Sequence, residues 1–229
     1  MKIIILGSGD GFSNNNTSFF VETNINILFD CGFTVPNYLT DISEDVEFLD
    51  IIYVSHAHGD HFFGLGQLLF QYWGKNRQKK LYIIGSQEVI RKIKKLTSLL
   101  IEEYDFDKKI IYLSAKTGHE INIKNNAFNF AETIHSAKNL AVRLDYQSNS
   151  LCYSGDGLPT KEAISLYDNS DLLIHEIAED DKEKYGHCTI STVNSKFSKL
   201  DIKRLLLVHY NGVINEKEKA RRGEVIVLS

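Results

Sequence analysis

Seven consecutive residues, Ser55-His56-Ala57-His58-Gly59-Asp60-His61, gather three imidazoles and a carboxylate in one short stretch. Imidazole nitrogen and carboxylate oxygen together suit zinc, manganese or iron. A metal held by such a set with one position open lowers the pKa of water toward neutrality. A lone histidine on an apolar face is ordinarily a core residue. Here the spacing His-x-His-x-Asp-His directly follows the apolar run Ile51-Ile52-Tyr53-Val54. That context reads as a metal-binding loop at the C-terminal end of a buried strand.

A hydrolytic centre needs further ligands, and three later apolar runs each end in one. His135 follows the run 127–133, Asp156 lies in Tyr153-Ser154-Gly155-Asp156-Gly157, and His209 closes Leu205-Leu206-Leu207-Val208. Each stands where a rigid strand meets solvent, the usual place for a working side chain. His119, in the turn Thr117-Gly118-His119, reads as a surface residue.

The elements that must position these residues follow from periodicity. Residues 2–6 read as a first strand, followed by a glycine-punctuated loop at 7–12. No helix pattern follows those glycines, which argues against a nucleotide-binding turn. A polar turn over 14–18 leads into a hairpin of strands 18–21 and 26–30. A helix is expected over 62–73, a strand over 81–84, and an amphipathic helix capped by Ser86 and running through Ile90, Ile93, Leu96 and Leu100. The lysine-rich face of that helix is a solvated face, its charge offset by Glu102, Glu103, Asp105 and Asp107. Short strands are expected at 110–113, 120–123, 127–133, 140–146 and 151–154, with buried strands at 172–174 and 204–208 and a closing one at 225–228. Helices are expected at 160–167 and 192–200.

The chain has 229 residues, 43% hydrophobic and 24% charged, an ordinary globular balance with enough length for one large domain spanning 1–229. Its formal net charge of −4 supplies no global positive field to draw in nucleic acid. The opening apolar run is too short for a secretory signal, and no run approaches transmembrane length. The cysteines, Cys31, Cys152 and Cys188, are odd in number and lack CxxC spacing, so they read as reduced packing residues of a cytoplasmic protein.

The His-x-His-x-Asp-His loop, with Asp30-Cys31-Gly32 upstream, resembles the signature of the metallo-β-lactamase superfamily. Leu6-Gly7-Ser8-Gly9, Asn16-Thr17-Ser18-Phe19, His58-Gly59-Asp60-His61 and Tyr153-Ser154-Gly155-Asp156 are similar to motifs of its ribonuclease Z branch. The resemblance implies an α/β fold, an αββα four-layer sandwich of two facing sheets with helices outside. It further implies two zinc ions, with manganese as second choice: His56, His58 and His135 on one, Asp60, His61 and His209 on the other, and Asp156 between them. Asp30 would support the metal loop. His175-Glu176-Ile177-Ala178 and Gly186-His187-Cys188-Thr189 are similar to two paired loops of that branch. By that likeness His187 donates a proton to the leaving oxygen, Glu176 fixes its tautomer, and Asp60 joins them as a catalytic residue. The branch also implies a homodimer, with the helices after the histidine-rich loop at the interface.

The departures from the branch narrow the function. Its tRNA-processing members carry a long basic arm between the positions matching His135 and Asp156, whereas this chain has room there for two strands and a turn. After His209 comes Tyr210-Asn211-Gly212 in place of a phosphate-gripping Ser and Arg-Tyr, and Gly157 replaces a threonine. Compact relatives without the arm include cyclic-nucleotide phosphodiesterases, some phage-borne and directed against immune signals. The expected activity is therefore a dinuclear-metal phosphodiesterase acting on a small, cyclic nucleotide in the cytoplasm, that of the host if the gene is phage-borne. A tRNA 3′-end endonuclease is the alternative, and a non-catalytic nucleotide-binding metalloprotein the third reading. Phe12, Phe33, Tyr72 and Tyr210 are candidates for stacking on the base.

Overall fold

The structure, a computed structural model, describes residues 1–229 except 14, 102–104, 179–182, 184–185 and 211–217. The first half runs β1 (Lys2–Gly7), β2 (Ser18–Glu22), β3 (Asn26–Phe29), α1 (Val35–Thr40), β4 (Ile51–Tyr53), α2 (Gly59–Phe62), α3 (Gly64–Gly74), β5 (Leu81–Ser86), α4 (Gln87–Leu100) and β6 (Ile110–Ala115). The second half continues with β7 (Glu120–Ile123), β8 (Asn126–Ile134), β9 (Leu140–Tyr146), β10 (Asn149–Tyr153), β11 (Leu158–Pro159), α5 (Lys161–Tyr167), β12 (Leu172–Glu176), α6 (Ile190–Phe197) and β13 (Leu205–Val208). The last strand, β14 (Val225–Val227), returns to pair with β1.

Among the described residues the strands form two seven-stranded sheets. One is ordered β14-β1-β2-β3-β4-β5-β6; the other is ordered β11-β8-β9-β10-β12-β13, with β7 paired to β8. Strand side chains alternate faces, and both faces of these sheets are covered, so the strands read as unbroken apolar runs. Ile3, Ile5, Phe19, Phe29, Ile51 and Tyr53 point inward and meet Phe128, Phe130, Val142, Leu144 and Tyr153 of the opposing sheet. Phe20, Leu28, Ile52 and Val54 point outward under α1, α3 and α4. On the far side Ala141, Cys152 and Leu173 pack under Ala163 and Tyr167 of α5 and Val193 and Phe197 of α6. The layering is helix, sheet, sheet, helix, as the resemblance implied.

Ser86 caps α4 by accepting a hydrogen bond from the Val89 amide, as expected. Other boundaries differ for local reasons. The helix expected over 62–73 breaks at Phe63, and its first piece, α2, reaches back into the histidine-rich loop, which places Asp60 and His61 on a helical turn. The helix expected at 192–200 starts two residues earlier because Thr189 caps it through the Thr192 amide. Helix α1 escaped the sequence reading: it is six residues long, carries Pro36 in its first turn and buries only Val35, Pro36 and Leu39. All three cysteines are buried and unpaired. Among the described residues no helix is long and apolar enough to cross a membrane. Asn14, Glu102, Glu103, Asn211 and Gly212, used in the sequence reading, lie outside the described residues.

Candidate active site

The parallel neighbours β3 and β4 in one sheet, and β10, β12 and β13 in the other, carry the key residues just past their C-terminal ends. Asp30 follows β3, the His56–His61 loop follows β4, Asp156 follows β10 and His209 follows β13. His135 follows β8. Asp30 (φ 55°) and His209 (φ 62°) adopt the left-handed conformation, uncommon for residues with a side chain, and thereby turn sharply off their strands.

The structure brings all seven expected ligand residues into two adjoining clusters. In the first, His58 Nδ1 lies 3.1 Å from His56 Nε2 and 3.2 Å from His135 Nε2. Asp156 Oδ2 is 3.7 Å from His56 Nε2 and 3.8 Å from His135 Nε2. In the second, Asp60 Oδ2 is 3.4 Å from His61 Nε2 and 3.3 Å from His209 Nε2. Asp156 reaches this cluster too, with Oδ1 3.4 Å from His61 Nε2 and Oδ2 3.3 Å from His209 Nε2. Tetrahedral ligands at zinc–nitrogen bond lengths stand about 3.3–3.4 Å apart, so both clusters have the spacing of a coordination shell.

Proton bookkeeping supports a cation at this place. His56 Nδ1 donates to Ser55 Oγ at 3.1 Å, and His135 Nδ1 donates to the Gly186 carbonyl at 3.0 Å. Their Nε2 atoms are thus left as bare lone pairs converging on His58. His61 Nε2 and Asp156 Oδ1 are buried and face one another, yet neither has a hydrogen-bond partner. Polar atoms crowded in this way are costly unless positive charge, a proton or a metal ion, sits among them.

Electrostatics divides the clusters. Burial, then the neighbouring His61 charge, holds His56 well below the ordinary imidazole range, and burial with His135 does the same for His58. For His61 burial works in the same direction, but Asp156 and Asp30 override it and raise its pKa. His209 is likewise raised against burial, to about 9, chiefly by Asp156 and the Asp60 hydrogen bond. Asp60 and Asp156 remain ionised despite burial because His209 and His61 hold them far below the carboxylate range. In the bare protein, protons on two histidines balance carboxylate charge that a cation would balance instead.

A layer of polar contacts fixes the ligands. Asp30 accepts from the Ser55 amide at 2.7 Å, Ser55 Oγ at 2.7 Å, His61 Nδ1 at 2.7 Å and the Tyr153 hydroxyl at 2.8 Å. Tyr153 comes from the opposite sheet, so this cluster also pins the two halves together. Asn139 accepts from the Asp156 amide at 3.1 Å and donates to Thr133 Oγ1 and the Ser154 carbonyl at 2.8 Å. Ser55, Asn139 and Tyr153 were not singled out in the sequence: a serine inside the motif, a loop asparagine and an apolar-run tyrosine carry no distinguishing pattern.

Glu176, fully buried at the end of β12, joins two loops. Its Oε1 accepts from the Gly157 amide at 2.6 Å and the Cys188 amide at 3.1 Å. Its Oε2 accepts from His187 Nδ1 at 3.0 Å. Gly157 sits at φ 115°, and a side chain there would approach Thr133 Oγ1 to 2.5 Å, so the threonine of the branch could not occupy this backbone. His187 packs on His135 and stacks parallel to His209, with ring centroids 4.9 Å and 5.6 Å away. Burial opposes its charged form, but Glu176 prevails and raises its pKa. His119 is exposed, while His175 is buried against Tyr167 and Phe197, away from the centre.

Residues 1–228 match the family model described as anti-Pycsar protein Apyc1. A ribonuclease Z from Picrophilus torridus is 29% identical over 84% of this chain and 79% of its own length. The anti-Pycsar protein Apyc1 of Paenibacillus sp. (strain J14) is 36% identical over 36% of each chain. Among solved structures, the metallo-β-lactamase fold protein YhfI from Bacillus subtilis superposes with a TM-score of 0.84 at 23% identity, covering 99% of both chains.

Proposed function

The chain belongs to the anti-Pycsar protein Apyc1 family, within the ribonuclease Z-like metallo-β-lactamase proteins that hydrolyse phosphodiesters, and on that premise we propose that it opens a small cyclic nucleotide. The observation that carries the proposal is the pair of clusters sharing Asp156. His56, His58 and His135 would hold one ion, Asp60, His61 and His209 the second, and Asp156 both. Zinc is the proposed metal and manganese the second choice. Bound there, two divalent ions lower the pKa of water and neutralise phosphoryl charge.

The chain's own residues do the rest. Water adds to phosphorus, one P–O bond of the cyclic diester breaks, and the product is a nucleoside monophosphate. His187 Nε2 gives its proton to the leaving ribose oxygen. Glu176, bonded to His187 Nδ1, keeps the other nitrogen turned to that task. Asp60, ionised and with its side chain 14% exposed, orients the attacking water by accepting its hydrogen bond, and the water's proton leaves to solvent.

A small substrate is favoured over tRNA by the segment between His135 and Asp156. It contains β9, a tight turn and β10, with no extended arm. The acidic net charge of −4 points the same way. A single domain over 1–229, working in the cytoplasm as a symmetric homodimer, completes the proposal. Phe70 and Trp73, with ring centroids 5.5 Å apart and both partly exposed on α3, supply apolar surface for the dimer contact.

The test is a substrate panel on purified protein loaded with zinc or manganese: cyclic mononucleotides, cyclic dinucleotides, a precursor tRNA and an aryl phosphodiester. Turnover of a cyclic nucleotide is expected. Cleavage of precursor tRNA with no cyclic turnover would assign the endonuclease instead, and binding without any product would leave a non-catalytic nucleotide binder.

A further inference from the structure

Among the described residues nine large hydrophobic side chains are exposed, and four of them stand beside ligand-bearing residues. Ile134 directly precedes His135. Phe12 follows Gly11, where an added side-chain carbon would lie 3.1 Å from the Asp60 carboxyl carbon. Phe33 and Phe63 pack on Gly59, the residue between His58 and Asp60. A centre built only to grip phosphate has no use for apolar surface at its mouth. A phosphate carrying a flat, weakly polar group does.

We propose that Phe33 and Phe63 form the platform on which the substrate's nucleobase lies. The inference rests on the cyclic-nucleotide reading above and deepens it. The two rings are 51% and 49% exposed, 5.6 Å apart and inclined at 54°. Phe63 joins α2 to α3, and its ring also leans on the buried Phe62 at 4.7 Å, so the platform has a rigid base. Gly59 makes the arrangement feasible: a side-chain carbon there would come within 2.8 Å of both rings. Its absence lets them settle on the loop, one residue from a ligand of each cluster. A diester phosphorus held between the clusters carries its base one ribose away, outside the ligand set.

Of the other aromatic candidates, Phe12 stands 93% exposed, and the two tyrosines fall away. Tyr72 lies on the buried face of α3. The Tyr210 hydroxyl donates to the Ala220 carbonyl at 2.7 Å and contacts Ser8 Oγ at 3.1 Å, while Lys219 covers its ring at 4.3 Å. Both are committed to structure. Stacking is sequence-tolerant because every base has a π-face, so this platform takes purines and pyrimidines with a modest preference for the larger ring.

The test measures binding to metal-loaded protein of two ligands: a nucleoside 3′,5′-cyclic phosphorothioate, and a ribose cyclic phosphate lacking the base. Phe33→Ala and Phe63→Ala are expected to weaken the nucleotide by about 10–100-fold, the usual worth of one stacked base. The abasic ligand should be unaffected, and Phe33→Tyr should restore nucleotide binding. Ring-current shifts of the base protons on binding should disappear in Phe33→Leu. Equal weakening of both ligands overturns the platform. So does loss of affinity that tracks dissociation of a dimer in sedimentation, which would make the rings an interface. Wild-type protein binding both ligands equally overturns it as well. Nucleotide that binds on the platform but is never hydrolysed removes the phosphodiesterase reading and leaves the platform standing.

Discussion

The two ligand clusters share one loop and one bridging carboxylate, yet they are backed by different chemistry. Behind His56 and His135 stand neutral acceptors, Ser55 Oγ and the Gly186 carbonyl. Behind His61 stands the Asp30 carboxylate at 2.7 Å, and Glu176 lies 3.7 Å from His209. The proton affinities divide the same way: burial drives His56 and His58 low, while Asp156, joined by Asp30 at His61 and by Asp60 at His209, drives those two high. A carboxylate behind an imidazole makes it a better donor to a cation and equally a better base toward a proton. The second cluster should therefore bind metal more tightly and feel acid more sharply than the first.

The largest effect should come from destroying what the clusters share. Asp156→Asn removes the charge facing both, and activity should fall by well over the roughly 10–100-fold that loss of an outer partner costs. Metal analysis should show both ions weakened; loss of one alone would mean that Asp156 serves a single cluster. Next comes His187, which belongs to neither cluster in the proposed roles. His187→Ala should lower turnover by roughly 10²–10⁴-fold with metal content intact. The deficit should shrink on a nitrophenyl diester, whose leaving group needs no proton. Equal deficits on both substrates would make His187 a positioning residue.

Asp30→Asn should separate the clusters directly. Metal affinity at the second should drop by roughly 10–100-fold while the first is spared. Tyr153→Phe, which removes one of four bonds to Asp30, should have the same selectivity at smaller size. Parallel loss from both clusters would show that Asp30 supports the loop as a whole.

How much of this was legible in the sequence depends on chain separation. The His56–His61 loop and the residues His135, Asp156 and His209 announce themselves because each is a polar donor ending an apolar run. The two facing sheets follow from the same runs once the resemblance supplies the layering. The outer layer was mostly hidden. Asp30 and Tyr153 are 123 positions apart, and nothing local to Tyr153 distinguishes a tyrosine that reaches a carboxylate from one that fills a core. The break at Phe63 was hidden too, because the apolar periodicity of α3 continues across it. The packing of Phe33 on Gly59 joins two separated loops, and no composition signal marks it.

The smallest predicted effect is a proton count. In chelator-stripped protein near pH 8, His61, raised by Asp156 and Asp30, and His209, raised to about 9, still carry protons that a cation must displace. His56 and His58, held low, have none to release. Calorimetric metal titration in buffers of different ionisation enthalpy should show proton release from the second cluster, with the His209 share fading as pH rises past about 9. Release that Asp30→Asn leaves unchanged would contradict the assignment.

The account stands most directly on whether two ions act together. Stripped protein should be titrated with zinc or manganese while hydrolysis of a cyclic nucleotide is followed at each addition. The tighter second cluster fills first, so activity should stay low through the first equivalent and rise toward about two per chain. Full activity at one equivalent per chain, with no further gain, would contradict the dinuclear centre.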